Sequence, residues 1–421
     1  MSAPYRLLAG YQATGRPADL DEHLRFWGSR PRLGSAAFLD ILDASGLTGR
    51  GGAAFPTARK MRTVAAHRKK AIVVANGGEG EPTSAKDRTL LKIAPHLVLD
   101  GAELAAAAVG ADEINVCVHD EATFRALRQA VADRSAAGLA EIGIQVHNMP
   151  GHYVASEETA LVQWLNGGPA LPTATPPRPF EKGVKGRPTL VDNVETLAHT
   201  ALIARYGADW FRTAGAREAP GTALFTVSGC VAEPGVYEFA LGTPLSEVLS
   251  AGNPIEDIQA VLAGGYGGGW LPPSALATPA TQARLTAQGA ALGPGILFAL
   301  PAHACGIAET AAVLQWMADQ NAGQCGPCMF GLPAIAADFT ALTHQQSTGR
   351  IRQRLQERLA AVAGRGACRH PDGAIRLARS ALSVFTTHLN RHDRRGPCLA
   401  AAGRRLVPTP WTIRETSPVA S

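Results

Sequence analysis

The chain has 421 residues, 46% of them hydrophobic, with 40 basic against 35 acidic residues and a formal net charge of +5. That length suits two to three domains of roughly 150 residues each, and so mild a charge, with no long basic block, argues against nucleic acid as a partner. No stretch approaches the roughly 20 apolar residues that a membrane span requires, and the start lacks a basic segment followed by an apolar one, so a soluble cytoplasmic protein without a direct membrane span is expected.

Residues 1–44 read as two short helices, 20–27 and 35–44, separated by Pro31 and carrying no obvious chemistry. The organising stretch follows, at 49–81. Gly49-Arg50-Gly51-Gly52 offers a backbone that can approach an anion closely, with amides and a guanidinium to meet it. Pro56-Thr57 then opens a helix over 58–67, whose N-terminus adds partial positive charge. The run 71–75 is short, apolar and β-branched, hence a buried strand. It ends in Asn76-Gly77-Gly78-Glu79-Gly80-Glu81, an amide and two carboxylates where open α/β sheets bind ligands. The glycine spacing is not that of the dinucleotide fingerprint, and for a lone loop of this kind a surface turn is the simpler reading.

Helices at 95–109 and 121–134 alternate with strands at 113–118 and 142–146, which predicts a mainly parallel sheet with helices on its faces. Tyr153 leads into a helix whose first turn holds Glu157 and Glu158; alone, such a pair reads as a complement to the helix dipole. The proline-rich connection 167–187 contains Phe180, and 188–206 is a strand feeding a helix capped by Asp192 or Asn193. Composition changes after Pro220. Two strands, a helix at 244–250, a further strand and the glycine-rich run before Trp270 follow, and that run reads as a spacer because no lysine or helix comes after it. Four helical segments between 305 and 390 imply a small bundle. The Arg- and Pro-rich remainder is expected to be poorly ordered unless it docks on a partner. The divisions are therefore 1–215, 220–300, 303–395 and a tail, 396–421.

Seven cysteines in a chain of this size do not suggest a disulfide framework. Cys117 and Cys230 sit in strand-like runs and read as small buried hydrophobes, Cys305 and Cys398 are isolated, and only Cys325 and Cys328 form a close pair.

Taken together, "GLTGRGGAAFPTARKM", "NGGEGEPTSAKDR", "YVASEETALVQWLNG", "GRPTLVDNVETL" and "CGPCMFGLP" closely resemble the flavin-bearing, NADH-oxidising subunit of respiratory complex I, with soluble relatives in NAD-linked hydrogenases and formate dehydrogenases. The resemblance implies a Rossmann-like FMN-binding α/β domain, a small ubiquitin-like β-grasp domain and a C-terminal helical bundle carrying an iron–sulfur site. It assigns FMN to Gly49, Arg50, Gly51, Gly52, Lys60, Asn76, Glu79, Tyr153, Glu157, Asn193 and Thr196. NADH, or NADPH, falls to Phe55 and Phe180 on the adenine side, with Lys60, Glu81 and Glu158 near the nicotinamide and ribose; the two glutamates are the candidate catalytic residues. Departures occur at Gly78, where the family has an aspartate, at Ala155-Ser156 in place of Cys-Gly, and at Thr63 in place of an aromatic.

The family closes a [4Fe-4S] cluster with four thiolates. Here Ala322 replaces the first, leaving Cys325, Cys328 and the distant Cys368. Three thiolates imply a [3Fe-4S] cluster, or a [4Fe-4S] cluster completed by another ligand such as Cys305 or a partner's group; an empty site and a zinc or redox pair remain as readings of the residues alone. The implied activity is hydride transfer from NAD(P)H to FMN and single-electron transfer through the cluster to a ferredoxin or [2Fe-2S] subunit. A non-catalytic docking subunit and the reverse ferredoxin-to-NAD reaction stand beside it.

Overall fold

A computed structural model describes residues 5–344 and 348–410 of the protein. Its first unit is built on four parallel strands, β1 (Ala71–Asn76), β2 (Ala111–Val118), β3 (Gly143–Asn148) and β4 (Thr189–Asn193), in the order β3-β2-β1-β4. The central β1 is Ala-Ile-Val-Val-Ala with every one of these side chains buried, as a strand covered on both faces demands. Around the sheet lie α1 (Ala9–Thr14), α2 (Leu20–Trp27), α3 (Ser35–Ser45), α4 (Thr57–Ala65), α5 (Lys86–Ile93), α6 (Pro95–Val109), α7 (Glu121–Ala136), α8 (Glu158–Leu165) and α9 (Val194–Arg212). Helix α6 is rich in Ala, Leu and Val and is buried on almost every side; a buried carboxylate on it, Asp100, ties α2, α7 and α9 together through His23 at 2.9 Å, Arg134 at 2.8 Å and Arg205.

A two-stranded ribbon, β5 (Gly215–Ala216) with β6 (Ala219–Pro220), leads into a mixed five-stranded sheet. Its strands β7 (Thr222–Gly229), β8 (Gly235–Ala240), β9 (Ile258–Ala263), β10 (Gly269–Leu271) and β11 (Ile296–Pro301) run in the order β10-β9-β11-β7-β8, with only β7 and β11 parallel. It carries α10 (Leu245–Ser250) and α11 (Gln282–Ala287) and has its own apolar core.

Helices α12 (Gly306–Asp319), α13 (Leu332–His344), α14 (Gly349–Val362), α15 (His370–Val384) and α16 (Thr386–Arg395) pack around Phe339, Leu355, Leu377 and Phe385. The expectation of a loose tail needs correction over its described part. Val407 is buried, the amides of Leu406 and Val407 donate to the Glu309 carboxylate at 2.9 and 3.0 Å, and the Trp316 indole donates to the Pro410 carbonyl at 2.8 Å. A buried acceptor and an apolar anchor thus hold 406–410 on the chain's own bundle; residues 411–421 of the expected tail lie outside the described residues. Among the described residues no helix is long and apolar enough to cross a membrane.

Candidate functional site

The strand order places β2 and β3 on one side of β1 and β4 on the other, so the chain reverses direction between β1 and β4, the point where open parallel sheets bind ligands beyond the strand C-termini. Asn76 and Asn193, paired in register, end those two strands. Both amides are held: Asn76 Nδ2 donates to the Ser156 carbonyl at 2.8 Å, and Asn193 Nδ2 donates to Asp87 Oδ2 at 2.7 Å while its Oδ1 accepts the Glu195 amide at 3.0 Å and caps α9. Above them opens a cavity of about 540 Å³. Gly51, Gly52, Asn76, Glu79, Glu81, Tyr153, Glu157 and Asn193 line it from the first unit, Gly264, Gly267 and Gly293 from the mixed sheet, and Cys368, His370 and Arg376 from the bundle. The volume falls within the range of cofactor pockets, and no side chain fills it.

The first loop departs from expectation in one respect. The Arg50 guanidinium is buried and turned away from this cavity, donating to the carbonyls of Thr222 at 3.1 Å and Thr48 at 3.1 Å and lying 4.0 Å from Glu195. Its guanidinium is engaged by internal carbonyls rather than aimed at this cavity, and Gly49 and Arg50 face a smaller cavity toward the mixed sheet. The Arg50 amide is likewise taken, by Thr196 Oγ1 at 2.8 Å, so Thr196 steadies the loop from beneath. The start of α4 is also spoken for, since the Thr57 amide donates to Leu47 at 3.0 Å. What remains at the lip is the backbone of 51–53, whose amides make no hydrogen bond among the described residues.

Two glutamates prove to be helix caps. Glu79 accepts from the amides of Asp87 at 3.0 Å and Arg88 at 3.2 Å and from Ser84 Oγ at 2.6 Å, closing the first turn of α5. Glu157 accepts from the amides of Thr159 at 2.9 Å and Ala160 at 3.1 Å. Both residues line the cavity; Glu79 uses both oxygens on these donors, whereas all donors to Glu157 meet Oε2, in keeping with the dipole reading. Glu158 points the other way, 3.8 Å from both Lys60 and Arg178. Lys60 donates to the Val191 carbonyl and lies 3.6 Å from Asp192. Phe55 is exposed with the Arg59 guanidinium 5.7 Å over its ring, whereas Phe180 packs against the main core. No ring contact joins these two among the described residues.

Glu81 is drawn across to the mixed sheet. It accepts the Tyr266 amide at 3.0 Å, the Gly267 amide at 3.4 Å and the Tyr153 hydroxyl at 3.1 Å, and burial pushes its pKa up to about 7, against the pull of these donors. The glycine run before Trp270 is thus more than a spacer. Gly265 adopts φ +75° with the Glu81 carboxyl where a Cβ would stand, at 2.8 Å, so only glycine lets the loop close over that carboxyl.

Sequence reading also missed Lys86. It is buried, with its ammonium 2.6 Å from Asp87, 2.9 Å from Glu195 and 3.2 Å from Asn193. Burial opposes its charge, yet the two carboxylates hold the proton more firmly than usual. The "SAKDR" segment contained the signal, but a Lys-Asp dipeptide reads as solvated surface unless its partner on α9 is known.

Cys325, Cys328 and Cys368 come together. Burial opposes ionisation of Cys325, but the Ala367 and Cys328 amides and the Cys328 thiol donate to its sulfur and lower its pKa. Burial raises Cys328 to about 12, with the neighbouring Cys325 and Cys368 adding to the rise, while the Ala322 amide points at its sulfur. Residue 322 therefore stands beside the thiols and offers only a methyl group. Cys305 is not available as the missing thiolate: its sulfur lies with Cys398 elsewhere in the bundle. Tyr153 lines the cavity together with Cys368, its ring 5.1 Å from the His370 imidazole and 5.5 Å from Trp316. Three convergent thiols suit an iron–sulfur cluster better than an isolated zinc pair, and an open glycine-lipped cavity at a sheet switch point suits a phosphorylated flavin.

Comparison with known proteins agrees with this geometry. Residues 42–201 match the Nuo51 FMN-binding domain and residues 308–392 the iron–sulfur binding region of NADH-ubiquinone oxidoreductase F. The chain is similar to the F 2 subunit of NADH-quinone oxidoreductase from Rhizobium meliloti (strain 1021), 32% identical over 378 residues, covering 85% of this chain and 90% of that protein. It is 30% identical to the corresponding F subunit of Aquifex aeolicus (strain VF5) over 338 residues, 75% of this chain and 78% of that one. Among solved structures, a chain of an NAD+-reducing [NiFe]-hydrogenase in the air-oxidized state superposes with a TM-score of 0.83 at 30% identity, over 96% of this chain and 71% of that chain.

Proposed function

The chain belongs to the family of NADH-quinone oxidoreductase F subunits, an NADH dehydrogenase-type flavoprotein family with an FMN-binding domain and an iron–sulfur region, and from that premise we propose that it takes a hydride from NADH onto FMN and passes single electrons through a three-thiolate iron–sulfur cluster to a [2Fe-2S] or ferredoxin-like partner. One observation carries the reading: Cys368 lines the same cavity as Gly51, Asn76, Glu157 and Asn193. A flavin and a cluster placed by these residues share a wall, so no separate conduit is needed between them.

Bound FMN supplies the ability to take two electrons as a hydride and to release them one at a time. The chain's own residues do the rest. The unpaired amides of 51–53 would hold the phosphate, and Asn76 and Asn193 would contact the rest of the flavin nucleotide. Glu157 and Tyr153 would help to bind the flavin, and Tyr153 is oriented by its bond to Glu81 at 3.1 Å. Phe55, Phe180, Lys60 and Glu158 would form the nucleotide side, with the Lys60 ammonium 3.8 Å from the Glu158 carboxylate. In this scheme Glu81 is a positioning residue. The units 1–215, 220–300 and 303–395 correspond to the flavin domain, a ubiquitin-like β-grasp and the cluster-bearing bundle, and the assembly works in the cytoplasm.

The test is anaerobic titration of the purified chain with NADH, with flavin and iron measured on the same sample. Bleaching of the flavin band followed by a paramagnetic cluster signal is expected. Protein that holds flavin but does not bleach would favour a docking subunit, the reading to which Ala322 lends weight, and would refute this one.

A further inference from the structure

Outside the flavin and cluster cavity the bundle holds a second constellation of metal-binding side chains. Cys305 immediately precedes α12, His388 and His392 lie one turn apart on one face of α16, and Cys398 returns to that face after the turn at Gly396. One sulfur or ring nitrogen from each residue lies within 4.8 Å of all the others. His388 Nε2 is 3.3 Å from Cys398 Sγ, and the Cys398 amide donates to His392 Nε2 at 3.2 Å. The two imidazoles stand perpendicular, at 85° with centroids 4.7 Å apart, so they converge without stacking. Cys305 and His392 are fully buried, at 1% and 0% exposure.

We infer that Cys305, His388, His392 and Cys398 form a structural zinc site, separate from Cys325, Cys328 and Cys368. Two sulfurs and two nitrogens at bond lengths of about 2.3 and 2.0 Å form a tetrahedron with edges of roughly 3.3–3.8 Å, which the observed spread of up to 4.8 Å reaches by contraction. A two-iron cluster would fit worse, because it places the cysteine pair and the histidine pair on different metal atoms and so separates them further. Charge balances without any redox step. Zinc(II) displaces one proton from each thiol, the imidazoles bind as neutral rings, and the two thiolates cancel the metal's charge within the bundle. The ion would staple α16 and the chain beyond it to the start of α12, fixing one end of the segment that Glu309 then holds at Leu406 and Val407 at 2.9 and 3.0 Å.

The experiment uses the full chain expressed with both iron and zinc supplied, and measures zinc, iron and flavin on one sample. One zinc per chain is expected. Cys398→Ser and His392→Gln should each lower zinc at least tenfold while leaving flavin and iron in place; Cys325→Ser with Cys328→Ser should lose iron and keep zinc. Zinc-edge X-ray absorption on the unaltered protein should give a shell of two sulfurs and two nitrogens, a readout that does not depend on any variant folding. Absence of zinc, a Cys305–Cys398 disulfide, a shell without sulfur, or zinc that follows the Cys325–Cys328 pair instead of Cys398 would each overturn the assignment.

Discussion

Glu81 is where the first unit, the mixed sheet and the bundle side of the cavity meet, and its proton decides how firmly they do so. Burial raises its pKa from the ordinary 4.5 to about 7. At about 1.4 kcal/mol per pH unit that gap amounts to roughly 3 kcal/mol, and nearer 2 kcal/mol once water at the cavity rim screens part of it. The folded state binds the proton more tightly than the unfolded state does. The tie to Tyr266, Gly267 and Tyr153 is therefore at full strength below pH 4.5, weakens as the pH rises, and has lost this contribution above pH 7. Glu81→Gln, neutral and of the same shape, should abolish the dependence. Hydrogen exchange at the Tyr266 and Gly267 amides, corrected for the intrinsic rate, measures the tie directly between pH 5.5 and 8. The unaltered protein should lose protection by about 30-fold across that range, corresponding to roughly 2 kcal/mol, and the glutamine variant should not. Equal profiles for the two proteins, or protection that grows with pH in the unaltered one, would refute the reasoning.

Gly80→Ala would set a Cβ 2.5 Å from the Tyr153 carbonyl oxygen; backbone must move at the cavity floor, at a cost of about 1–3 kcal/mol, and flavin retained through gel filtration should fall at least fivefold. Ala322→Cys places a fourth thiol beside Cys328, whose sulfur already receives the residue-322 amide, and paramagnetic resonance with iron analysis should show a shift toward a [4Fe-4S] signal and more iron per flavin. Lys86→Met leaves Asp87 and Glu195 facing each other in a buried site with no cation between them; the chemical-denaturation midpoint should fall by the equivalent of about 3 kcal/mol, and flavin binding with it, because Asn193 shares the network.

The parallel sheet could be read from the sequence because its strands are short apolar runs between glycine turns and periodic helices, signals that act over neighbouring residues. The strand ends beyond which a ligand would sit were legible from the same pattern, whereas Asn76 and Asn193 were singled out as flavin contacts only by the resemblance to a known family. Arg50 shows where local reading stops. A guanidinium among glycines looks built for an anion, but its partners are the Thr222 and Thr48 carbonyls, and the former is contributed by a strand 172 residues away. Glu79 and Glu157 illustrate a different ambiguity: a carboxylate entering a helix serves as a cap or as a ligand group, and only the positions of the amides tell which. Cys305 and Cys398 looked isolated because the contact that joins them spans the whole bundle, while the His388–His392 pair between them has the spacing of an ordinary helix face.

The cavity belongs to no single unit. Its floor comes from two parallel strand ends, its far wall from a glycine loop of the mixed sheet, and its edge from Cys368 at the start of α15. Each wall is placed by a bond between units: Glu81 to the Tyr266 amide at 3.0 Å, Arg376 to the Gly267 carbonyl, and the Glu195 carboxylate to the Leu224 amide at 2.9 Å. Closeness favours glycine at 265, where φ is +75° and the opposing carboxyl lies 2.8 Å from where a Cβ would stand. The chemistry-bearing residues of the first unit and the thiols of the bundle are thus brought into register by a unit that contributes almost no chemistry of its own.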